Sequence, residues 1–316
     1  MDVLSDVLDL VRLKGCVYFV TDLGAPWGMR MDAGPFAPFH VMVRGQGWLN
    51  VDDQPRLFSA GDVVLLPFGD AHDLADRPDG GNGDYVAGRQ VLEGIANGAP
   101  LFQTDAASAR LLCGHFEFDR GVPHPLIEEL PHLIHLSGLA TPDTGWFDAV
   151  LPLLVRETGA QRPGSGALIN RLAEALFIQV LRAYLANHRP PQGFLAALDD
   201  PQVFRALQYI HAEAESDLSL AGIAAAAGMS RSSLAARFKE MLGLAPMAYA
   251  TQWRMLKARE LLAVPGLALA DIAARVGYAS EAAFSRAFSR TFQETPGAFR
   301  RAKTAVEARE NAGGAR

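Results

Sequence analysis

One phrase occurs twice in the last third of the chain, and it constrains the fold more than any other feature. The first copy runs Leu220-Ala-Gly-Ile-Ala-Ala-Ala-Ala-Gly-Met-Ser230 and continues to Leu234, Phe238 and Leu242. The second copy runs Leu269-Ala-Asp-Ile-Ala-Ala-Arg-Val-Gly-Tyr-Ala-Ser280 and continues to Phe284, Phe288 and Phe292. Each copy predicts a short apolar helix, a Gly turn, a Ser cap and a second amphipathic helix. The chain therefore carries two helix-turn-helix motifs in tandem.

The spacing between the copies shows that they are one motif repeated. Gly228 aligns with Gly277 at an offset of 49, and Ser230 aligns with Ser280 at an offset of 50. The second copy therefore has one extra turn residue. A helix of 19 positions is predicted between the copies. It begins at Pro246 and ends at the run Val264-Pro265-Gly266. At about 1.5 Å per residue this helix spans roughly 28 Å, which places two recognition helices about one DNA turn apart.

The charge of the chain is unevenly distributed. The formal net charge is −6, but residues 201–302 carry 12 Lys/Arg against 8 Asp/Glu, a balance of +4. The rest of the chain carries 17 Lys/Arg against 27 Asp/Glu, a balance of −10. The positive part coincides with the repeated motif, where phosphates would be neutralised. The sequence therefore predicts double-stranded DNA as a partner of this region.

Other bulk features exclude several classes of protein. The chain has 2 cysteines and so no disulfide framework, and it shows neither a membrane-length apolar run nor a basic secretory start. We expect a cytoplasmic protein with no membrane association. It also lacks the Gly-x-Ser-x-Gly elbow of hydrolases and the Lys loop of nucleotide-binding proteins, which favours a non-enzyme.

A helical projection predicts which side chains of the two second helices face DNA. With Leu234 and Phe284 turned inward, the outward positions are Ser232, Ala235, Ala236, Lys239, Ala282, Ser285, Arg286 and Ser289, with Arg290 beside them. Arg231, Arg237, Lys239 and Arg290 suit phosphates. Arg286 is the outward side chain that could bracket a guanine bidentately. The recognition helix of the first copy, which presents Ala235 and Ala236, is therefore expected to position the protein, to contact thymine methyl groups or to read DNA shape.

At these residues the sequence resembles the AraC/XylS family of bacterial transcription regulators. The resemblance covers about 201–301 and includes Gly277-Tyr278-Ala279-Ser280 and the ending Pro296-Gly297-Ala298-Phe299-Arg300. It implies that Ser232, Ala235 and Ala236 occupy base-reading positions in the first recognition helix. It implies the same of Glu281, Ala282, Ser285 and Arg286 in the second.

The first half of the chain alternates apolar and polar residues in short runs, typical of antiparallel strands. The run Gly61-Asp-Val-Val-Leu-Leu-Pro67-Phe-Gly69-Asp-Ala-His72 resembles the second motif of cupin barrels. Of the first cupin motif only His40 survives. The fold class is therefore a multidomain α+β protein: a cupin-like β-barrel, a helical connector and an all-α domain. The predicted domains are 1–140, 141–190 and 200–302, the last following a break at Asn187–Gly193.

Four residues of the cupin-like domain predict a metal site. Cys113 and His115 point to the same face of one strand, and His40 and His72 lie on candidate neighbouring strands. Such ligands suit tetrahedral zinc. In the alternative, the histidines bind an organic effector or satisfy core hydrogen bonds. A second hypothesis is that Cys16 and Cys113 form a redox-sensitive disulfide. In the alternative, both are inert thiols in the core.

Together these features predict a transcription regulator whose cupin-like domain senses an effector. The helices predicted at 146–158 and 165–188 would carry the contact of a homodimer, through a stripe from Leu168 to Tyr184, or would cover the barrel. RNA polymerase is a candidate partner. Two alternatives stay open: a cupin metalloenzyme with a DNA-tethering domain, and an architectural DNA-binding protein without an effector.

Overall fold

The computed structural model describes residues 2–11, 13–78, 85–102, 106–118, 124–137, 145–160, 162–188 and 192–303. The chain divides into two compact units. The helical unit comprises Met1–Val11, Gly121–Glu128 and Pro190–Arg316, and the sheet unit comprises Arg12–Arg120 and Glu129–Arg189. This division departs from the three consecutive domains predicted above. Residues 189–191 of the predicted break lie outside the described residues.

The sheet unit contains two sheets of five strands each within the described residues. The strands are β1 (Lys14–Leu23), β2 (Gly28–Met31), β3 (Ala37–Arg44), β4 (Gln46–Val51), β5 (Gln54–Ser59), β6 (Val63–Leu65), β7 (His72–Ala75), β8 (Val86–Ala87), β9 (Ala109–Glu117) and β10 (Ile134–Leu136). One sheet has the order β1-β9-β3-β6-β10 and the other β5-β4-β7-β2-β8. Their inward side chains form one core that includes Phe19, Leu49, Phe58 and Leu111.

The helices, in chain order, are α1 (Val3–Leu10), α2 (Gly88–Ala96), α3 (Pro125–Glu128), α4 (Gly145–Ala160), α5 (Ser165–Asn187), α6 (Phe194–Asp199), α7 (Pro201–Ala212), α8 (Leu220–Ala227), α9 (Arg231–Leu242), α10 (Pro246–Leu262), α11 (Leu269–Arg275) and α12 (Glu281–Phe292). Helices α2, α4 and α5 belong to the sheet unit. No helix in the described ranges has the length and apolarity needed to span a membrane.

Helix α5 covers one edge of the first sheet by packing on β1. The backbones approach closely at Gly15, where a Cβ atom would overlap the side chain of Ala173. Leu176 and Val180 of the predicted stripe are buried inside the unit, whereas Leu168 is 40% exposed. Part of that stripe therefore covers the sheet. The homodimer contact stays a prediction that rests on the exposed part.

Helix α1 packs against α7 and α10 within the helical unit. Val3 and Val7 on its inner face are fully buried. Asp2 begins the helix, because its carboxylate accepts a hydrogen bond from the backbone N–H of Leu4 at 3.1 Å. A segment from the start of the chain is therefore part of the core of the unit that carries the helix-turn-helix motifs.

Candidate nucleic-acid interface and sensor pocket

The first helix-turn-helix comprises α8 and α9. Gly228 follows α8 with φ of 67°, a left-handed conformation that costs glycine little and other residues more. Ser230 caps α9 by accepting a hydrogen bond from the backbone N–H of Ser233 at 3.1 Å. Leu234 and Phe238 are fully buried and anchor α9 to the unit. These contacts hold the opposite face of α9 toward solvent.

The second helix-turn-helix repeats this construction with α11 and α12. Gly277 has φ of 76°, and Ser280 accepts a hydrogen bond from the backbone N–H of Ala283 at 3.2 Å. Phe284 and Phe288 are fully buried in a core shared with α10 and α11. The joining helix α10 has 17 residues, roughly 25 Å at about 1.5 Å per residue. It is two residues shorter than the sequence predicts, because the chain leaves the helix before Val264.

The side chains predicted to face DNA are all at least partly accessible. Arg231, Ser232, Ala236, Lys239, Glu281, Ala282, Arg286 and Arg290 are exposed, and Ala235, Arg237, Ser285 and Ser289 are half-buried. Arg231, Lys239, Arg286 and Arg290 make no side-chain hydrogen bond or ion pair with another described residue. Their charges are therefore free to meet phosphates or base edges.

Arg237 differs from the other predicted phosphate contacts. Its Nε and Nη2 atoms donate to Oδ2 of Asp200 at 3.0 and 2.9 Å, and Nη1 donates to Glu240 Oε2 at 3.1 Å. Asp200 is also the cap of α7, so this contact ties α9 to the start of that helix. The guanidinium is already neutralised by two carboxylates. We therefore assign Arg237 a structural role, and the phosphate contact predicted for it stays untested.

A cavity of about 270 Å³ opens in the sheet unit. It is lined by His40 on β3, His72 on β7 and Cys113 and His115 on β9, so the structure brings the four predicted metal-site residues to one place. Its remaining wall is mainly apolar and includes Met31, Phe36 and Leu92. The sequence patterns described above did not predict that α2 contributes to this wall. The apolar spacing of Val91, Leu92 and Ile95 was the signal available for that helix.

Three of the four residues form a chain of hydrogen bonds. His72 Nδ1 donates to the backbone oxygen of Asp70 at 2.8 Å, so its Nε2 accepts from His40 Nε2 at 2.8 Å. His40 Nδ1 then accepts from the thiol of Cys113 at 2.9 Å. Burial lowers the pKa of His40 well below its usual range and raises the pKa of Cys113 well above it. All three groups are therefore neutral, and each has a partner.

The three hydrogen-bonded side chains are not arranged as ligands of one zinc ion in the described part of the sheet unit. Cys113 and His72 contact different ring nitrogens of His40, and one ion binds only one nitrogen of a given imidazole. His115 directs Nε2 to Glu117 Oε1 at 3.2 Å. No group of three or more His, Cys, Asp or Glu side chains within the described ranges is arranged to hold a metal ion. The four predicted ligands thus line one cavity without converging on one point.

The two cysteines lie on neighbouring strands. Cys16 on β1 pairs with His115 on β9, whereas Cys113 pairs with Phe19 across a bulge in β1. Both thiols are free. Burial raises the pKa of Cys16, and Glu117 raises it further. The predicted disulfide therefore stays a prediction about an oxidised state.

His115, which lines this cavity, has one buried ring nitrogen without a hydrogen-bond partner. Its ring lies between Tyr18 and Phe36, with ring centroids 4.9 and 4.5 Å away. Because Nε2 donates to Glu117, Nδ1 carries the free lone pair, and this atom is buried without a partner.

Comparison with known proteins agrees with both units. Residues 2–186 match a family model described as cupin, and residues 223–302 match a model described as a helix-turn-helix domain. The HTH-type transcriptional regulator AlkR of Acinetobacter baylyi is 30% identical over 303 residues, covering 95% of this chain and 99% of its own. An AraC-like transcription regulator of Streptomyces antibioticus is 32% identical, with coverage of 95% and 99%. A solved transcriptional regulator from Chromobacterium violaceum is 31% identical and covers 34% of this chain and 96% of its own, with a TM-score of 0.33.

Tandem helix-turn-helix motifs beside a cupin domain define a DNA-binding transcriptional regulator with a sensor domain. The chain belongs to the AraC family of HTH-type transcriptional regulators. The prediction from the repeated phrase and from the cupin-like motif is confirmed at this level.

Proposed function

We propose that α9 and α12 enter successive major grooves on one face of double-stranded promoter DNA. Arg231, Lys239 and Arg290 would contact phosphates, because their charges are exposed and unpaired among the described residues. The two recognition helices are capped, anchored and joined by one continuous helix, which supports a fixed separation between them. The positive balance of residues 201–302 supports the same assignment.

The observation that carries base reading is the contrast between the two recognition helices. Arg286 in the middle of α12 is exposed, whereas the outward centre of α9 consists of Ala235 and Ala236. An arginine can donate two hydrogen bonds to guanine O6 and N7, and alanine can contact only a thymine methyl group. In this proposal α12 supplies base specificity and α9 mainly positions the protein.

Arg286→Ala is expected to weaken binding to the preferred operator by about 1–3 kcal/mol, or roughly 5- to 150-fold. It should also relax the preference for guanine at one position, because the discriminating hydrogen bonds are lost. The measurement is selection of bound sequences from a random library, followed by affinity titration of single-base variants. Lys239→Ala is the matched control: it should weaken all sites similarly and reduce the salt slope. Unchanged base preferences in Arg286→Ala would show that another face of α12 reads DNA.

We further propose that the cavity of the sheet unit receives a small organic effector. An apolar body would pack against Met31, Phe36 and Leu92. Regulation follows if the effector favours one placement of the DNA-binding units in a dimer. The dimer would use the exposed part of α5 around Leu168, and RNA polymerase stays a predicted partner at the promoter.

Metal analysis distinguishes this effector from the zinc alternative. Protein purified without tag or chelator is expected to contain well under one zinc per chain, because His40 already uses both ring nitrogens. About one zinc per chain, lost in His72→Ala, would instead support a metal sensor.

Thiol counts on the same sample, before and after mild oxidation, test whether Cys16 and Cys113 form a disulfide. Loss of two thiols with no change in mass beyond two hydrogens would support the disulfide.

We propose that the cupin domain senses and does not catalyse, and that the protein acts in the cytoplasm. The relatives compared above are transcriptional regulators. The polar side-chain atoms of His40, His72 and Cys113 contact one another and the backbone oxygen of Asp70, which supports a structural role for these three residues. The metalloenzyme alternative requires turnover of a substrate by the full chain. An architectural role requires binding that tolerates sequence and does not respond to any effector.

A further inference from the structure

An arginine occupies the same place in both copies of the repeat. Arg205 on α7 and Arg254 on α10 are related by the offset of 49 that also relates Gly228 to Gly277. The same offset relates Phe204 to Trp253 and Leu207 to Leu256. The repeated unit therefore includes the stretch of helix that precedes each helix-turn-helix, and the two arginines are equivalent positions in it.

In the first copy, this arginine binds within its own motif. Arg205 Nη2 donates to the backbone oxygen of Ala227 at 3.2 Å. Ala227 is the last residue of α8, and Gly228 follows it at the turn. The guanidinium leaves space beside the turn, because a Cβ atom added to Gly228 would lie 3.9 Å from Arg205 Nη2. Arg205 thus connects α7 with the end of α8.

In the second copy, the equivalent arginine binds the segment that leads into the first motif. Arg254 Nε donates to the backbone oxygen of Ala214 at 2.8 Å, and Nη2 donates to the backbone oxygen of Ser216. Both oxygens lie in the loop between α7 and Ser219, the residue that caps α8. Arg254 therefore holds the loop from which the first helix-turn-helix begins.

The turn of the second motif lies against the same guanidinium. A Cβ atom added to Gly277 would lie 2.7 Å from Arg254 Nη2 and 3.2 Å from the backbone oxygen of Ala214. Glycine permits this close approach of the backbone. The α7–α8 loop, α10 and the turn between α11 and α12 consequently meet at one side chain.

Apolar packing does not by itself fix the angle between the two motifs. Helix α10 packs against α8 and α9 of the first motif and against α11 and α12 of the second. Apolar contacts are non-directional, and packed helices can slide past one another by small amounts. The donors of a planar guanidinium point in fixed directions, so two hydrogen bonds to one loop define its orientation. Removal of Arg254 would keep the packing and release this constraint.

We propose that Arg254 is a positioning residue that fixes the spacing and angle between the two recognition helices. It holds the loop before α8 and the turn before α12 against one point of α10. This inference rests on the proposed function, in which α9 and α12 enter successive major grooves. With a fixed spacing, the second groove contact is intramolecular and strengthens binding only to DNA of matching geometry.

The test measures how strongly DNA binding depends on the spacing of the two grooves. The full chain and Arg254→Met are titrated with the selected operator and with a duplex that carries one extra base pair. The insertion lies midway between the two segments that the wild type protects from hydroxyl radicals. It separates them by about 3.4 Å more and rotates them by about a tenth of a turn.

We expect the insertion to weaken binding of the wild type on the order of 10-fold and binding of Arg254→Met by less than about 2-fold. Arg254→Met should also bind the uninterrupted operator roughly 10-fold more weakly, because its two motifs must be ordered on the DNA. An insertion penalty in Arg254→Met equal to that of the wild type would overturn the proposal. A wild type that binds both duplexes equally would contradict the proposed function itself.

Arg205→Met is the matched control, because it removes the same side chain from the equivalent position of the first copy. Its guanidinium binds within one motif, so the variant should keep the insertion penalty of the wild type. Loss of the penalty in both variants would overturn a specific role for Arg254. If Arg254→Met does not purify folded, Arg254→Lys keeps the charge and loses the fork of donors. Arg254→Lys should show a smaller insertion penalty than the wild type, and an equal penalty would overturn the proposal.

Discussion

Tyr249→Phe is expected to lower the free energy of unfolding by about 2–4 kcal/mol. The substitution preserves the ring, but it removes the hydroxyl that accepts from His124 and donates to His211. Each histidine is then left with a buried ring nitrogen that has no partner, and each such group costs about 1–3 kcal/mol. Urea unfolding followed by far-UV circular dichroism measures the loss. The free energy change should come from a lower midpoint at an unchanged slope.

Tyr278→Phe is the matched control for this substitution. Tyr278 is half-buried in the same unit, and its hydroxyl makes no hydrogen bond with another described residue. Its loss should change the free energy of unfolding by less than about 0.5 kcal/mol. Similar losses in both variants would show that the hydrogen bonds of Tyr249 contribute no more than a generic tyrosine hydroxyl.

Acidification from pH 7.5 to pH 5 is expected to destabilise the helical unit through His124 and His211. Burial is the main reason why the pKa of each histidine falls from 6.5 to about 3. The nearby His211 lowers the pKa of His124 further, and the nearby ammonium group of Lys257 lowers the pKa of His211 further. The unfolded chain binds protons below pH 6.5 and the folded chain does not. Stability is therefore fully present above pH 6.5 and declines as pH falls toward 3. The loss at pH 5 is on the order of 2 kcal/mol per histidine.

Neighbouring groups modify this dependence without reversing it. The pKa of Asp6 is raised by burial, so its contribution has the opposite sign, and it offsets part of the loss. His211→Phe keeps an aromatic ring against Trp253 and removes one titrating group, and it should reduce the pH dependence by about half. His188→Gln changes an exposed histidine and should leave the dependence unchanged. Identical pH profiles for His211→Phe and the wild type would contradict the assignment.

The helix-turn-helix motifs were predictable because local chemistry determines them. A glycine at positive φ, a serine cap and apolar residues four apart each act within one or two turns of chain. Gly228, Ser230 and Phe238 consequently have the roles that the repeated phrase assigned to them. The alternation of apolar and polar residues likewise predicted antiparallel strands in the first half of the chain, where β1 to β9 lie.

Pairings across long separations could not be read from the chain. The structure brings His40 opposite Cys113 in register, whereas the sequence predicted candidate neighbouring strands without indicating which residues pair. His124 and Tyr249 are 125 residues apart, and neither belongs to a recognisable motif. Arg237 was predicted to contact a phosphate, whereas its partner in the structure is Asp200, which lies 37 residues earlier at the start of α7. In each case the partner of the side chain is determined by the tertiary fold, and the properties of the single residue do not indicate it.

The assignment of α1 to the helical unit also has a consequence for how the chain is made. Its partners on α7 and α10 follow about 200 to 250 residues later, so α1 leaves the ribosome well before its binding surface exists. At roughly 5–20 residues per second, Asp6 waits on the order of 10–50 s for Lys257. During that interval Val3 and Val7 have no surface in their own unit to cover them. A fragment restricted to residues 200–302 reverses the problem: its α7 and α10 are complete, and the helix that covers them is absent.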